Sequence, residues 1–300
     1  MGKRVLLAVN TRARRGQNAR DRVVAALRAR GHEVTIPPLD ADRGSLSKAI
    51  LARRDEVDVV VVGGGDGTLL GALEGLIETK LPLVVLPLGT FNELARTLGI
   101  PTDLDAATAL VDDGVPLAID VGRANGVPYF NEASVGLSTR VTRLQTPDVK
   151  RRFGLLAMPL TTLRALRWAR PMHLEIECGG GAKQRVRAVQ LTVANSYRFG
   201  GVVENPEASL EDGQLWLYAI DVQNFWHTVR IVAAVALHRF AHTPEVNALK
   251  GRSFIVRSVH GHRHRVCTDS EEVTRLPATF DVLNRAVTVL VPPERVPAIR

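Results

Sequence analysis

The sequence predicts an α/β domain over residues 1–122 followed by a mostly antiparallel β domain over 123–300, with the last strand a candidate to return to the first domain. Three observations carry this. The first 120 residues alternate short apolar runs with segments of helical period, the pattern of a parallel sheet covered by helices. Beyond residue 120, short apolar runs follow one another with few helical segments between them. The chain has 300 residues, 45% of them hydrophobic and 23% charged, so at roughly 150 residues per domain each part is long enough to bury its own core.

In the first part the expected strands are Arg4 to Val9, Glu33 to Ile36, Asp58 to Val62 and Leu83 to Leu86. Between them, helices are expected over Asn18 to Arg30, closed by Gly31, and over Leu46 to Arg54. From Thr68 to Thr79 the residues Leu69, Leu70, Leu73, Leu76 and Ile77 form one stripe at helical spacing. Thr102, three residues before Asp105, resembles a capping box that opens a further helix, which Gly114 ends. In the second part, strands are expected over Met172 to Cys178, Arg185 to Ala194, Gln214 to Asp221, Ser253 to Ser258, Arg263 to Thr268 and Ala278 to Val291. Asp148 to Arg170 and Phe225 to Phe240 interrupt them with helical patterns.

Composition narrows the function classes. Thirty-nine Lys and Arg against 31 Asp and Glu leave a net charge of +8, compatible with attraction to phosphate or anionic lipid and equally with simple solubility. Nucleic-acid binding is not expected, because no helix-turn-helix, zinc-finger or RNP-like pattern concentrates the charge. Two cysteines, Cys178 and Cys267, are too few for a disulfide framework or a zinc cage, so a cytoplasmic location is expected. The longest apolar run, Ile231 to Leu237, is far shorter than the roughly 18 residues of a membrane span. The N-terminal apolar run is too short for a leader peptide, so none is expected.

The most informative segment is Val59 to Thr68, where an apolar strand runs into Gly63-Gly64-Gly65-Asp66-Gly67-Thr68 and then into a helix. Amide groups at a helix start have no intrahelical partner, and glycines allow close approach, so such a turn suits phosphate. Asp66 suits a divalent cation or a hydrogen-bond donor. Neither a P-loop nor a dinucleotide fingerprint is present: no lysine follows before Lys80, and Thr68 or Leu70 stands where a third glycine is required. A second loop, Pro87-Leu88-Gly89-Thr90-Phe91-Asn92-Glu93, follows the next strand. Thr90 and Asn92 offer short polar groups as a helix begins, as helix caps or ligand contacts, and both loops lie at carboxyl ends of strands, where α/β sheets gather ligands.

Gly64 to Thr68 and Pro-Leu-Gly-Thr-Phe-Asn-Glu-Leu-Ala-Arg at 87–96 resemble the catalytic domain of diacylglycerol kinases, sphingosine kinases and their bacterial soluble lipid-kinase relatives. Phe199-Gly200-Gly201, Pro206-Glu207-Ala208 and Leu210 to Leu215 continue the likeness in the family's order. The resemblance implies a nucleotide-binding α/β domain of the NAD kinase and diacylglycerol kinase type, a β-sandwich, and catalysis in the cleft between them, with ATP donating its γ-phosphate to a lipid hydroxyl. By motif, Asn10, Gly64, Gly65, Asp66, Gly67, Thr68, Gly89, Thr90 and Asn92 become the nucleotide site, and Asp66 an organiser of catalytic Mg²⁺. The family's Asp-Gly-Glu maps to Asp269-Ser270-Glu271, so Asp269 and Glu271 become acid-base residues. Its structural Mg²⁺ maps to Asp212 with the carbonyls of Ser209 and Gln214. A lipid substrate at a membrane surface, reached peripherally, is the implied partner, and a homodimer stays open.

This chain departs from the family at the first loop, where only Asn10 matches clearly and Arg12, Arg14 and Arg15 follow, and at Leu70, Gly71, Phe91 and Ser270. On residues alone, Asp269 and Glu271 alternate as on a strand end and would share one face, to hold a metal or a proton, or else form a solvated acidic turn with Glu272. Two other functions fit the same turn: a kinase for a soluble acceptor such as NAD, and a non-catalytic nucleotide or lipid binder. The basic stretch 150–170 reads as a surface-seeking helix or a solvated one, and His260, His262 and His264 alternate so that on a strand their rings share a face within reach of one metal, although Gly261 suggests a turn.

Overall fold

A computed structural model describes residues 2–10, 16–38, 44–137, 170–200, 203–269 and 271–295. The chain divides into two compact units, one of Met1–Val121 with Asn284–Arg300 and one of Gly122–Leu283.

In the first unit, β1 (Arg4–Val9), β2 (Glu33–Thr35), β3 (Val59–Gly64) and β4 (Leu83–Pro87) form a parallel sheet in the order β2-β1-β3-β4. The C-terminal part of β18 (Ala278–Val291) lies parallel beside β4, pairing Val289 with Leu83. Every residue of β3 is buried, as expected of a central strand covered on both faces. Helices α1 (Gly16–Ala29), α2 (Gly44–Ala52), α3 (Asp66–Thr79), α4 (Glu93–Thr97) and α5 (Leu104–Asp113) connect these strands. The cap of α5 is Asp103 rather than Thr102: its carboxylate accepts from the amides of Asp105 and Ala106. The helix ends at Gly114, where a Cβ would stand 2.9 Å from that of Leu290.

Helices α2 and α3 pack closely. Ser47 Oγ donates to the Gly71 carbonyl (2.8 Å) and accepts from the Gly75 amide (3.1 Å). A Cβ at Gly75 would lie 2.8 Å from the Ser47 carbonyl oxygen. The missing side chain at Gly75 thus lets the two helices approach.

The second unit is an antiparallel β-sandwich. One layer joins the N-terminal part of β18 to β15 (Ser253–Ser258), β8 (Met172–Cys178) and β9 (Lys183–Ala188). The other runs β14-β13-β10-β7-β16-β17, formed by Val246–Gly251, Leu215–Ile220, Gln190–Ala194, Glu132–Gly136, Arg265–Thr268 and Glu271–Arg275. Leu174, Phe254 and Phe280 from the first layer meet Val135, Leu191, Leu217 and Val266 from the second in one buried core. The single strand expected over Arg185 to Ala194 is two, broken at Val189, because β9 pairs with β8 while β10 crosses to β7 and β13.

A short hairpin of β5 (Val115–Ala124) and β6 (Val127–Tyr129) turns through Asn125 and Gly126, both at positive φ. Gly122 faces Tyr129 across it, where a Cβ would lie 2.3 Å from the ring. Helix α6 (Phe225–Ala236) and a 3-10 turn at Phe240–His242 follow β13, so the helix expected to Phe240 ends four residues early. The helical expectation for 148–170 lies outside the described residues except for Arg170, and Arg12, Arg14, Arg15, Gly201 and Ser270 lie outside them too. Two short strands, β11 (Arg198–Phe199) and β12 (Val203–Glu204), pair with one another, and a 3-10 turn at Pro293–Arg295 follows β18.

Candidate active site

In the first unit the parallel register brings Gly64 opposite Pro87, so the turns after β3 and β4 leave the sheet side by side. They touch. The Leu88 amide donates to the Gly64 carbonyl (3.0 Å), and the Leu94 amide donates to Asp66 Oδ1 (3.4 Å). A Cβ on Gly89 would stand 2.4 Å from Gly65 Cα, and one on Gly64 would stand 2.4 Å from Thr68 Oγ1. Gly89 and Gly65 are therefore held glycine by contact between the loops, and Gly64 by Thr68 within its own turn. Gly67 differs, since nothing lies within 4 Å of a Cβ built there and the residue is exposed.

The polar groups divide in the same way. Asn10 Nδ2 donates to Thr68 Oγ1 (3.3 Å), tying β1 to the first turn of α3. Asn92 stands before α4 at φ 49 without capping it by its side chain. Its amide instead clamps Gly89, accepting from the Gly89 nitrogen (2.9 Å) and donating to the Gly89 oxygen (3.0 Å). Thr90 is exposed, and Phe91 is half-buried. Asn10, Gly64, Gly65, Asp66, Thr68, Gly89 and Asn92 thus form one assembly, with Gly67 and Thr90 at its open edge. The amides of the first turn of α3, at the positive end of a 14-residue helix, give that edge an attraction for anions.

In the second unit Asp269 is the first residue of the turn between β16 and β17, at φ 43, with Thr268 paired to Glu271. Asp269 and Glu271 therefore do not alternate on one strand as expected: Asp269 lies in the turn at a positive φ, and Glu271 begins β17. The Asp269 carboxylate accepts from the amides of Phe130 (3.1 Å), Asn131 (3.2 Å) and Glu132 (3.3 Å), and its own amide donates to the Glu132 carbonyl (3.0 Å). Burial, reinforced by the Asp269 charge, pushes the Glu132 carboxyl up to about 8.

Around this pair lie buried polar atoms that find no partner among the described residues: both side-chain amide atoms of Asn131, Thr268 Oγ1 and Tyr129 OH. Such orphans cluster where a ligand or water completes the site. Sequence reading missed Asn131 and Glu132. The available signal was a polar pair, Asn-Glu, at the head of an otherwise apolar alternation from Tyr129 to Val135.

The third expected site fits a metal poorly. Asp212 Oδ1 accepts from the Gln214 amide (3.0 Å) across Gly213 at φ 65, and Oδ2 is paired with the Lys250 ammonium (2.9 Å). Ser209 Oγ accepts from the Glu211 amide. One Asp212 oxygen is therefore paired with a lysine cation. His260, His262 and His264 pack ring to ring at 6.3 and 5.8 Å, with Gly261 turning at φ 70. No group of three or more His, Cys, Asp or Glu able to hold a metal occurs among the described residues.

Comparison with known proteins agrees with both units. Residues 4–124 match the family described as diacylglycerol kinase catalytic domain, and residues 131–291 match that described as YegS C-terminal NAD kinase beta sandwich-like domain. The chain is 32% identical over 245 residues to a diacylglycerol kinase of Bacillus subtilis, covering 80% of each. It is 26% identical over 264 residues to one from Staphylococcus aureus, covering 87% of this chain and 83% of that protein. A crystal structure of a candidate diacylglycerol kinase from Bacillus anthracis superposes with a TM-score of 0.81 at 25% identity, covering 99% of this chain and 98% of that one.

Proposed function

The chain belongs to the diacylglycerol kinase catalytic-domain family, and from that premise we propose that it transfers the γ-phosphate of ATP to a hydroxyl of diacylglycerol or a related lipid, with Mg²⁺. The observation that supports this most is the paired-turn assembly in the first unit. Its glycines hold two loops in contact while the one open glycine, Gly67, sits at an amide-rich helix start.

Phosphoryl transfer asks of a protein mainly positioning and charge stabilisation. In this reading the first-turn amides of α3 hold phosphate oxygens, and the Asn92 clamp on Gly89 keeps the second loop from closing over them. Asp66, fixed by the Leu94 amide, would hold Mg²⁺, and the chemistry the ion would supply there is neutralisation of charge on the transferred phosphoryl group. Asp269 accepts the proton of the acceptor hydroxyl. Burial and the Asp269 charge raise the Glu132 carboxyl, which disfavours a second negative charge beside Asp269. No step is assigned to a metal at Asp212.

The test is a mass-spectrometric screen of lipid extract incubated with the protein and labelled ATP. The reading predicts a labelled lipid that disappears in Asp66→Ala; no labelled lipid refutes it. The likeness of the sandwich to a domain described as NAD kinase-like favours one second reading, transfer to NAD, which label in NAD without lipid would establish.

A further inference from the structure

Helix α6 is apolar on two faces. Ile231 and Val235 pack inward against the cluster of Phe199, Tyr218, Phe240 and Val246. At helical spacing around the other side, Trp226 is 70% exposed, Val229 40%, Val232 64% and, just past the helix end, Leu237 66%. Ala233 and Ala236 are exposed between them. An outward apolar stripe of this kind on a helix that already has a buried face requires an explanation beyond the stability of its own unit.

We propose that the outer face of α6 is a docking surface for an anionic lipid bilayer, an inference that rests on the lipid-kinase reading and names how the chain meets its substrate phase. Three observations select this occupant. Residues 225–239 contain no carboxylate, while Arg230, Arg239, His227 and His238 lie on or beside the helix, in a chain of net charge +8. Arg230 is paired with the buried Glu245 carboxylate and His238 with that of Glu204, so the exposed Arg239 supplies the positive charge, and it lies beside the apolar stripe rather than across it. An exposed indole at one end of the helix is the side chain that favours the boundary between headgroups and acyl chains.

The area argues against a second copy of the chain as occupant. A 12-residue helix is about 18 Å long and about 10 Å across, so one face offers on the order of 200 Å², well below the roughly 800 Å² per partner of a stable interface. That area suffices to seat a helix reversibly in the headgroup region.

The experiment is flotation of the full chain with vesicles of phosphatidylcholine containing phosphatidylglycerol, without nucleotide, compared with phosphatidylcholine alone. Wild type is expected to float with the anionic vesicles, and the double variant Val232→Glu, Leu237→Glu to lose at least tenfold in bound fraction. Trp226→Phe should retain binding. Both variants should keep the wild-type unfolding midpoint and the wild-type rate on a water-dispersed short-chain acceptor. Absence of flotation by wild type, equal flotation by the double variant, or a wild-type dimer that the double variant splits would overturn the proposal. Because flotation needs no turnover, a chain that floats yet phosphorylates no lipid sinks the kinase reading and leaves the docking surface standing; one that phosphorylates dispersed lipid without floating does the reverse.

Discussion

Replacing Gly67 and Gly89 separately by alanine should have opposite consequences, and the contrast tests why the turn is rich in glycine. At Gly67 nothing lies within 4 Å of the new methyl group, and the position is in the first turn of α3. Alanine there gains up to about 1 kcal/mol in helix propensity and lower unfolded-state entropy, a rise in unfolding midpoint of about 2–4 °C for a domain of this size. Because a helical Cβ tilts toward the N-terminus, the methyl enters the space assigned to the phosphates. Loss of one charge-assisted amide contact, about 1.5–3 kcal/mol, predicts a KM for ATP raised roughly ten- to hundredfold. At Gly89 the methyl meets Gly65 Cα at 2.4 Å and Asn92 Oδ1 at 2.7 Å, so the loops must separate, costing about 1–3 kcal/mol of stability as well as activity. Thermal unfolding and ATP-dependent turnover of both variants decide it. A Gly67→Ala protein that is more stable and keeps its KM for ATP within twofold would refute the assignment of this turn to nucleotide.

Further outcomes follow from the second unit. The Glu132 carboxyl, about 8 when folded against an ordinary 4.5, makes the folded chain bind more protons between those values, so this group's contribution falls as pH rises from about 4.5 to about 8. Glu132→Gln should flatten that slope and raise the unfolding midpoint at pH 9 relative to wild type; an unchanged slope would contradict the burial of this charge. Cys267, whose thiol burial pushes up to about 11, should resist iodoacetamide at pH 8 in the folded chain while half-buried Cys178 reacts. Equal labelling of the two would contradict it. Lys250→Gln, which breaks a partly exposed ion pair with Asp212, should cost less than about 1 kcal/mol, read from denaturant unfolding, and a larger loss would show that this pair anchors its loop.

The α/β half was legible because its signals are local. The run Val59 to Val62 can be little else than a buried strand, and the stripe from Leu69 to Ile77 little else than a helix covering it. In the sandwich, β7 and β14 escaped notice since Glu132-Ala133-Ser134 and Asn247-Ala248-Leu249-Lys250 carry few β-branched residues, and only pairing with β10 and β13 makes them strands. Asp103 took the cap from Thr102 because either side chain suits a first turn and the sequence does not choose between adjacent caps.

The candidate site was legible unevenly for the same reason. Gly64 to Thr68 announces itself as a strand, a flexible turn and a helix in succession. The role of Asn92 as a clamp on Gly89, the hairpin turn that parts Asp269 from Glu271, and the nearness of Glu132 to Asp269 across 137 residues of chain all depend on tertiary placement. Lys250 on Asp212 is of this kind as well, a long-range pair that no local pattern signals.

The most direct test of the account is a crystal structure of the chain grown with a non-hydrolysable ATP analogue and Mn²⁺. The account predicts phosphate oxygens within hydrogen-bonding distance of the amides at residues 65–67, with the cation on the Asp66 carboxylate. Nucleotide bound elsewhere, with the open side of Gly67 in contact with solvent alone, would contradict it.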